Sequence, residues 1–593
     1  MKTFSFNQVE LTDGYLFNKQ ELNRKITVRS VYNRFAESGR FAALDCDGTV
    51  TPHIYWDSDV AKWIESAAYI LQKHDDPELE VLADALIAKI KKHQGPDGYF
   101  NLYFTIVEPD ARFTDRSQHE LYNAGHLTEA AIAYADATGK TELLEIVERY
   151  LEYIHRCFPY KRSANFTTPG HEEIELALIK LYRYTGKKKY LDMAKYFLDM
   201  RGTVKEWGSD ELYSQTHLPV REQTEAVGHA VRAMYLYVGM AYLAAETGDT
   251  TLLDACRALW RDVTDRKMYV TGGIGSTHLG EAFTHAYDLP NDTAYAETCA
   301  AIGLVFFANA MLALENDAKY ADVLERTLYN GVLSGISLNG KSFFYENPLE
   351  INLSERFHVR HGKRRFAITQ RLECFSCSCC PPNLSRLLAA LGNYVYGQED
   401  DTLYVNQFVS STLKSGTLRC TMQTDYPREG TVRLTASGAA RVALRIPAWC
   451  EQFTINKPYQ MQKGYAIIEN DGSEIVVVFD MTPKAIWTDP RVIRDTGRFC
   501  IMRGPIVYCA EAVDNGENLH SFSVPADFSY EERLNEDFGL YTLTVSCKQS
   551  LPFEDGLYAA HPPKTRDTTL TLIPYSCFAN RGESDMLVWL CAK

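Results

Sequence analysis

The chain repeats one local pattern that limits its fold more than any other feature: an apolar helix, a stop at glycine or Asn-Asp, then a second apolar helix. Tyr134-Ala-Asp-Ala-Thr-Gly139 leads into Leu143-Leu-Glu-Ile-Val147, and Tyr182-Arg-Tyr-Thr-Gly186 into Tyr190-Leu-Asp-Met-Ala194. Leu243-Ala-Ala-Glu-Thr-Gly248 leads into Leu252-Leu-Asp-Ala255, and Leu312-Ala-Leu-Glu-Asn-Asp317 into Tyr320-Ala-Asp-Val-Leu324. Glycine recurs because the residue that ends a helix adopts a left-handed conformation that a side chain resists. The repeat of roughly 45–70 residues marks helical hairpins with long loops on one side. Val60, Trp63, Ile64, Ala67, Ala68 and Leu71, then Leu79, Leu82, Leu86 and Ile90 beyond Asp75-Asp-Pro77, add another pair at helical spacing. A further helix follows Asn383. About six hairpins fit, the number that closes an (α/α)6 toroid with its loops forming a cleft at one end. An open superhelix is the alternative.

Near residue 400 the period changes from helical to alternating. Thr402-Leu-Tyr-Val405, Val432-Arg-Leu434, Arg441-Val-Ala-Leu-Arg-Ile446, Tyr465-Ala-Ile-Ile468 and Glu474-Ile-Val-Val-Val-Phe479 read as strands, followed by Gly504-Pro-Ile-Val-Tyr-Cys-Ala510 and Thr568-Thr-Leu-Thr-Leu-Ile573. The reading is a multidomain α and β chain: an N-terminal strand over 1–17 pairing with the last sandwich, a barrel over 18–405, and antiparallel β-sandwich domains over 406–500 and 501–593. A length of 593 residues agrees with several domains. The formal charge of −15 argues against a nucleic-acid or anionic-membrane partner. No run of about 18 apolar residues is seen, and Met1-Lys-Thr-Phe-Ser-Phe lacks the apolar core of a secretory leader. Fifteen scattered cysteines, an odd count, then indicate reduced thiols in a cytoplasm.

Chemistry concentrates in three places. Arg371-Leu-Glu-Cys-Phe-Ser-Cys-Ser-Cys-Cys-Pro-Pro-Asn383 holds four cysteines on a stretch stiffened by prolines, just ahead of a helix that starts at Asn383. Glu297-Thr-Cys299 adds a carboxylate and a thiol. With Cys379 and Cys380 it makes one oxygen and three sulfur donors, a set zinc accepts, with Cys374 and Cys377 as rival ligands. The glycine-rich loop Tyr269-Val-Thr-Gly-Gly-Ile-Gly-Ser-Thr-His-Leu-Gly-Glu281 ends in a second carboxylate, so Glu281 and Glu297 are a candidate acid/base pair. His119, with His126 seven residues on, His171 and His229 each begin an apolar helix, where toroid helices would face the cleft.

Together these segments resemble glycoside hydrolase family 127, the β-L-arabinofuranosidases. The likeness runs from Trp56-Asp-Ser-Asp-Val-Ala-Lys-Trp63 through His119-Glu-Leu-Tyr122, Asp288-Leu-Pro-Asn291, Glu297-Thr-Cys-Ala300, Cys379-Cys-Pro381 and Arg503-Gly-Pro-Ile-Val-Tyr-Cys-Ala-Glu511 to Leu572-Ile-Pro-Tyr-Ser-Cys-Phe-Ala-Asn580. The resemblance implies an (α/α)6 catalytic barrel followed by β-sandwiches. It implies Zn2+ held by Glu297, Cys299, Cys379 and Cys380, with Cys379 as nucleophile and Glu281 as acid/base, its carboxyl pushed up by burial. His119, His171, His229 and Tyr345 would line the sugar subsite, and Cys374 and Cys377 would be bystanders. The family sets an amide side chain against the sugar before the first clear helix. Glu37-Ser-Gly-Arg-Phe-Ala-Ala-Leu44 does not align there, which leaves the sugar itself open.

The implied activity is a zinc-dependent retaining exo-glycosidase that releases β-L-arabinofuranose from an oligosaccharide or glycoconjugate. Rival readings are a glycosidase for another pentose-like pectic sugar, a zinc-stapled carbohydrate-binding protein without turnover, and a sugar epimerase. Neither nucleic acid nor membrane is an expected partner, and self-association as a homodimer stays open.

Overall fold

The computed structural model describes residues 1–160, 162–205, 211–358 and 367–593. Among these, thirteen helices reach eight residues. In chain order they are α1 (Tyr15–Leu22), α2 (Val28–Glu37), α3 (Trp56–Leu71), α4 (Pro77–His93), α5 (Glu120–Thr138), α6 (Glu142–His155) and α7 (Ile174–Thr185). Then come α8 (Lys188–Met200), α9 (Ala230–Thr247), α10 (Thr250–Arg266), α11 (Thr298–Glu315), α12 (Ala318–Arg326) and α13 (Cys380–Ala389). Glycines 139, 186 and 248 end α5, α7 and α9 in left-handed conformation, and Asn316 does the same for α11.

Six of these helices pack in a closed circuit: α3 on α5, α5 on α7, α7 on α9, α9 on α11, α11 on α13, and α13 back on α3. The second helix of each hairpin lies against its partner outside this ring. Burial separates the two layers. Fourteen of the eighteen residues of α9 are buried, on every face, whereas α10 buries seven of seventeen along one stripe that includes Leu252, Ala255, Cys256, Leu259 and Val263. Helix α11 is apolar and long enough to cross a bilayer, contrary to the sequence expectation, but most of it is buried as a wall of this ring. The sixth hairpin is made from the two ends of the helical region: α13 has no following helix and is backed by α1, α2 and the turn between them. Asn23 fixes that junction, donating to the Ser385 carbonyl and accepting from the Ser385 hydroxyl at 2.7 Å.

Two corrections concern the β regions. The N-terminal strands join the first sandwich and not the last. Lys2–Thr3 pairs with Tyr396–Glu399, and Val9–Asp13 pairs with Ser410–Ser415. The cause is local: α1 sits behind α13, and α13 runs straight into this sandwich, whose interior takes Phe4, Val9 and Leu11. The strand also ends at Asp13, where Gly14 at φ 93° turns the chain into α1. Residues 15–17, expected in the strand, are helical. With those strands the sandwich has two six-stranded sheets, ending at Phe479. The last domain starts at Lys484 rather than 501, because Lys484–Ile486 and Arg498–Arg503 pair with each other. Its sheet returns on itself, since Arg498–Arg503 bonds both to Leu590–Ala592 and to Ile506–Glu511, so a closed strand circuit stands where a two-sheet sandwich was expected.

Candidate active site

The inner helices run the same way, so their N-termini meet at one end of the ring, and the residues at those ends build the site. Tyr55 is the N-cap of α3, His119 of α5, His229 of α9, Glu297 of α11 and Cys379 of α13, while His171 lies three residues before α7. A helix N-terminus presents unpaired N–H groups and the positive end of its dipole, which favours anions such as thiolates and carboxylates. Cys379-Cys-Pro-Pro is therefore the opening of α13, not a stretch ahead of it. The helix begins three residues earlier than Asn383, because proline fits a first turn whose N–H groups have no helical partner. Strained backbone clusters here. His119, Glu281 and Ala296 take φ of 61°, 52° and 40°, a region that costs non-glycine residues on the order of 1–3 kcal/mol and is tolerated where side-chain aim matters.

These ends enclose a cavity of about 280 Å³ whose lining includes His119, His171, His229, Glu281, Glu297, Cys299, Tyr345 and Cys379. All nine expected site residues meet at this place, the ninth, Cys380, lying just beneath. Cys299 Sγ is 3.6 Å from Cys379 Sγ and 3.4 Å from Cys380 Sγ, and those two are 3.8 Å apart. Glu297 Oε1 lies 3.7 Å from Cys379 and 3.8 Å from Cys380. A tetrahedral cation with sulfur ligands at about 2.3 Å has donor–donor edges of about 3.8 Å, so the four groups fit such an ion. The other carboxylate oxygen of Glu297 is buried without a partner. Cys374 and Cys377 stand outside the quartet. The Cys377 thiol faces the Tyr345 hydroxyl at 3.7 Å, and Cys374 turns to Ser378 and the Phe375 carbonyl.

Crowding of acidic groups marks the same place electrostatically. Burial and the negative charges of Cys379 and Glu281 push the Glu297 carboxyl well above its ordinary range. Burial and hydrogen bonds with its neighbours push Cys380 up. Burial also pushes Cys299 up, but hydrogen bonds with Cys379 and Cys380 outweigh it and bring that thiol down to about 6.

Glu281 behaves differently from expectation. Burial does push its carboxyl up, but the hydrogen bond from His229, with lesser help from Glu297 and Tyr295, outweighs that and holds it at about 2. His229 Nδ1 accepts the Val231 N–H at 3.2 Å, so the ring proton sits on Nε2 and is donated to Glu281 Oε2 at 3.0 Å. Burial lowers all three histidines, and the charge of Arg232 adds to the effect at each; His119 falls to about 3. The wall thus presents neutral imidazoles, His119 to His171 at 5.7 Å and His171 to His229 at 5.6 Å between ring centres.

Several lining residues escaped the sequence reading. Arg232 donates to the Gly170 carbonyl, and its guanidinium lies 4.3 Å from the Tyr213 ring centre. Tyr122 packs 4.1 Å from His171 and accepts from buried Lys62 at 2.7 Å. Tyr55 and Ser58 complete the α3 side. The signal for Tyr122, Ser58 and Lys62 was present, since all lie in the motifs quoted above. Arg232 and Tyr213 carry no such mark. The segment that failed to align contributes buried Arg40, which donates to Asp59 at 2.8 Å and to the carbonyls of Phe375 and Ser376, bracing the cysteine stretch from behind.

Comparison with known families decides the relationship. Residues 8–393 match the model of the beta-L-arabinofuranosidase GH127 catalytic domain, 402–481 the GH127 middle domain, and 483–591 the family's C-terminal domain. The chain belongs to glycoside hydrolase family 127. It is 37% identical, over 93% of its length and 91% of the relative's, to a non-reducing end beta-L-arabinofuranosidase of Bifidobacterium longum subsp. longum. A GH127 beta-L-arabinofuranosidase from Geobacillus stearothermophilus T6 has a solved structure with 41% identity and a TM-score of 0.93, covering 99% of this chain and 100% of that one. A second solved GH127 beta-arabinofuranosidase has 37% identity and a TM-score of 0.91, covering 100% of this chain and 98% of that one. The three family models place the inter-domain divisions at 393–402 and 481–483, matching the strand pairings more closely than the divisions at 405 and 500.

Proposed function

We propose that this GH127 chain is a retaining exo-glycosidase that removes β-L-arabinofuranose from the non-reducing end of an oligosaccharide or glycoconjugate. The observation that carries the reading is the meeting, in one pentose-sized cavity, of the Cys379 thiol, the Glu281 carboxylate and three neutral histidines. Activity on this sugar is inferred from the relatives named above. The closed circuit of inner helices backed by outer ones is read as an (α/α)6 toroid.

Cys379, as the thiolate, attacks the anomeric carbon, forming the S–C1 bond as the bond from C1 to the leaving oxygen breaks. Glu281 gives its proton to that oxygen. Water then attacks C1 while Glu281, now a carboxylate, accepts its proton, and the S–C1 bond breaks, so two inversions give net retention. Because Glu281 is held low by His229 in the free protein, the carboxyl takes up its proton when substrate fills the cavity and screens it from water. The neutral imidazoles of His119, His171 and His229, with the Tyr345 hydroxyl 3.4 Å from Cys379, supply hydrogen bonds for the sugar hydroxyls.

Glu297, Cys299, Cys379 and Cys380 would hold Zn2+, which when bound keeps its sulfur ligands as thiolates. Fifteen free thiols fit a reducing cytoplasm as the proposed compartment. A panel of aryl pentosides and hexosides tests the reading, each run with and without a zinc chelator. Turnover confined to the β-L-arabinofuranoside, lost to the chelator and restored by Zn2+, is expected. Preference for another sugar, or activity indifferent to the chelator, contradicts it.

A further inference from the structure

Cys379, Asn383 and Arg386 are spaced i, i+4 and i+7, so they stand one above another along one face of α13. Arg386 is 3% exposed, and its guanidinium meets side chains of four other inner helices. Nη1 donates to Glu65 of α3 at 2.8 Å and to Glu129 of α5 at 2.6 Å. Nη2 donates to the Tyr235 hydroxyl of α9 at 3.2 Å, and the group lies 5.3 Å from the centre of the Phe306 ring of α11. Lys180 of α7 pairs with Glu129, which brings the remaining inner helix into the same network. Within α13, Nε donates to the Asn383 side-chain oxygen at 2.7 Å, and the Asn383 amide donates to the same Tyr235 hydroxyl at 3.1 Å. Glu65, Glu129, Tyr235 and Asn383 are all buried.

Taking a guanidinium and two carboxylates out of water costs more than apolar packing of equal volume would, so such a network is a poor source of stability and a good means of fixing one arrangement. Apolar packing does not hold α13 on this side, because a cavity of about 500 Å³ lies there, with Arg386, Glu65 and Glu129 in its lining. A planar fork that bonds several partners at once has one rotational setting. We propose that Arg386 is a positioning residue: it sets the rotation of α13 about its own axis, and through it the aim of the Cys379 and Cys380 sulfurs about two turns away. The inference rests on the function proposed above in taking Cys379 as the nucleophile. A side-chain atom stands about 5 Å from the helix axis, so a turn of about 20° carries it about 1.7 Å. The separations of 3.4–3.8 Å among Cys299, Cys379 and Cys380 do not survive such a shift, and a reacting group tolerates only about 0.5 Å.

The test uses three variants of the full chain. Arg386→Lys keeps a positive charge for Glu65 and Glu129 but has no fork to bond Asn383 and Tyr235 as well. Tyr235→Phe keeps every charge and removes only the hydroxyl that Asn383 and Arg386 share. Lys180→Met removes a charge that reaches Glu129 from α7, not from α13. Two properties are read: steady-state kinetics on an aryl β-L-arabinofuranoside, and the sulfur-to-metal absorption of protein loaded with Co2+, which reports how many thiolates bind. In Arg386→Lys kcat is expected to fall at least thirtyfold and in Tyr235→Phe at least fivefold, with KM within twofold of wild type and the cobalt bands weakened in both. Lys180→Met is expected to lower the thermal midpoint while keeping the wild-type kcat and cobalt spectrum. Wild-type kcat and spectrum in Arg386→Lys overturn the proposal. Losses in all three variants that follow their thermal midpoints overturn it too, since the network then serves stability alone. Should Arg386→Lys not fold, Tyr235→Phe decides, and an unchanged kcat there overturns the proposal. Wild type that takes up cobalt but cleaves no arabinofuranoside overturns the proposed function, and the spectra of the variants then judge the positioning by themselves.

Discussion

Cys379 does two jobs in this account, ligand and nucleophile, and both follow from where it stands. It is the N-cap of α13, its sulfur is within 3.8 Å of two other thiols and a carboxylate, and it borders the cavity while Cys380 is buried beneath. Cys379→Ser keeps the size of the side chain but not the soft, ionisable atom. It is expected to lower kcat on an aryl β-L-arabinofuranoside by roughly a thousandfold or more while the fold survives, measured by steady-state kinetics and circular dichroism. Glu281→Gln removes the acid/base and leaves a neutral amide oxygen as acceptor for His229, with a loss of about 10²–10⁴-fold on a disaccharide. With an activated aryl leaving group the first step needs no proton donor, so glycosylation recovers there and the second step limits. Full activity of either variant would reassign that residue. At this scale the residues that meet at the cavity were legible as candidates, because most are conspicuous at the start of an apolar helix or in a glycine-rich loop, while the choice of Cys379 and Cys380 over Cys374 and Cys377, and the inclusion of Tyr345, came from the resemblance to family 127. Arg232 and Tyr213 were not legible, because nothing in a helix pattern says which face looks into a ring. The protonation of Glu281 was misjudged for the same reason: burial was foreseeable, but the His229 Nε2–H aimed at it was not.

The helical elements hold the site by close approach. Gly125 of α5 meets α7 so tightly that a Cβ would lie 2.5 Å from Glu173 Cγ, and Gly303 of α11 meets α9 with 2.7 Å to Met234 Cβ. Gly303→Ala therefore overpacks the α9–α11 contact, which raises helix propensity by about 1 kcal/mol but costs about 1–3 kcal/mol in displaced neighbours. The expected outcome is a lower midpoint for the thermal transition of the helical domain by circular dichroism, with reduced kcat because α9 carries His229 and α11 carries Glu297. An unchanged or raised midpoint would show that the contact has slack. The hairpins themselves were readable from glycine stops and apolar periodicity. The sixth was not, since α13 takes its outer partner from α1 and α2, more than three hundred residues away in sequence, and nothing local records such a pairing.

Across the whole molecule, three domains share one chain, and the N-terminal strands lock the sandwich to the helical ring. That junction was misplaced from sequence because a short alternating strand fits any open sheet edge, and only the position of α1 behind α13 selects the nearer one. Global stability should carry a distinct pH signature. Burial pushes Asp57 at the start of α3 to about 7, against an unfolded value of about 3.9. Between those values the native state binds the proton and the unfolded state does not, so stability is highest below about pH 4 for this group and falls as pH rises to about 7, by up to about 1.4 kcal/mol per unit. Asp57→Asn removes that slope. Relative to wild type it is expected to gain stability on moving from pH 5 to pH 8, read from denaturation midpoints. A parallel pH dependence of the two proteins would place the Asp57 charge elsewhere.

The central claim is a covalent bond between sugar and sulfur, and it can be read as mass. Wild type mixed with an aryl β-L-arabinofuranoside, quenched in acid within the first turnovers and digested, is examined by peptide mass spectrometry. The account predicts a pentosyl group on the peptide carrying Cys379, absent from Cys379→Ser. A pentosyl group on Glu281 or Glu297, or an inverted first product with no labelled peptide, would contradict it.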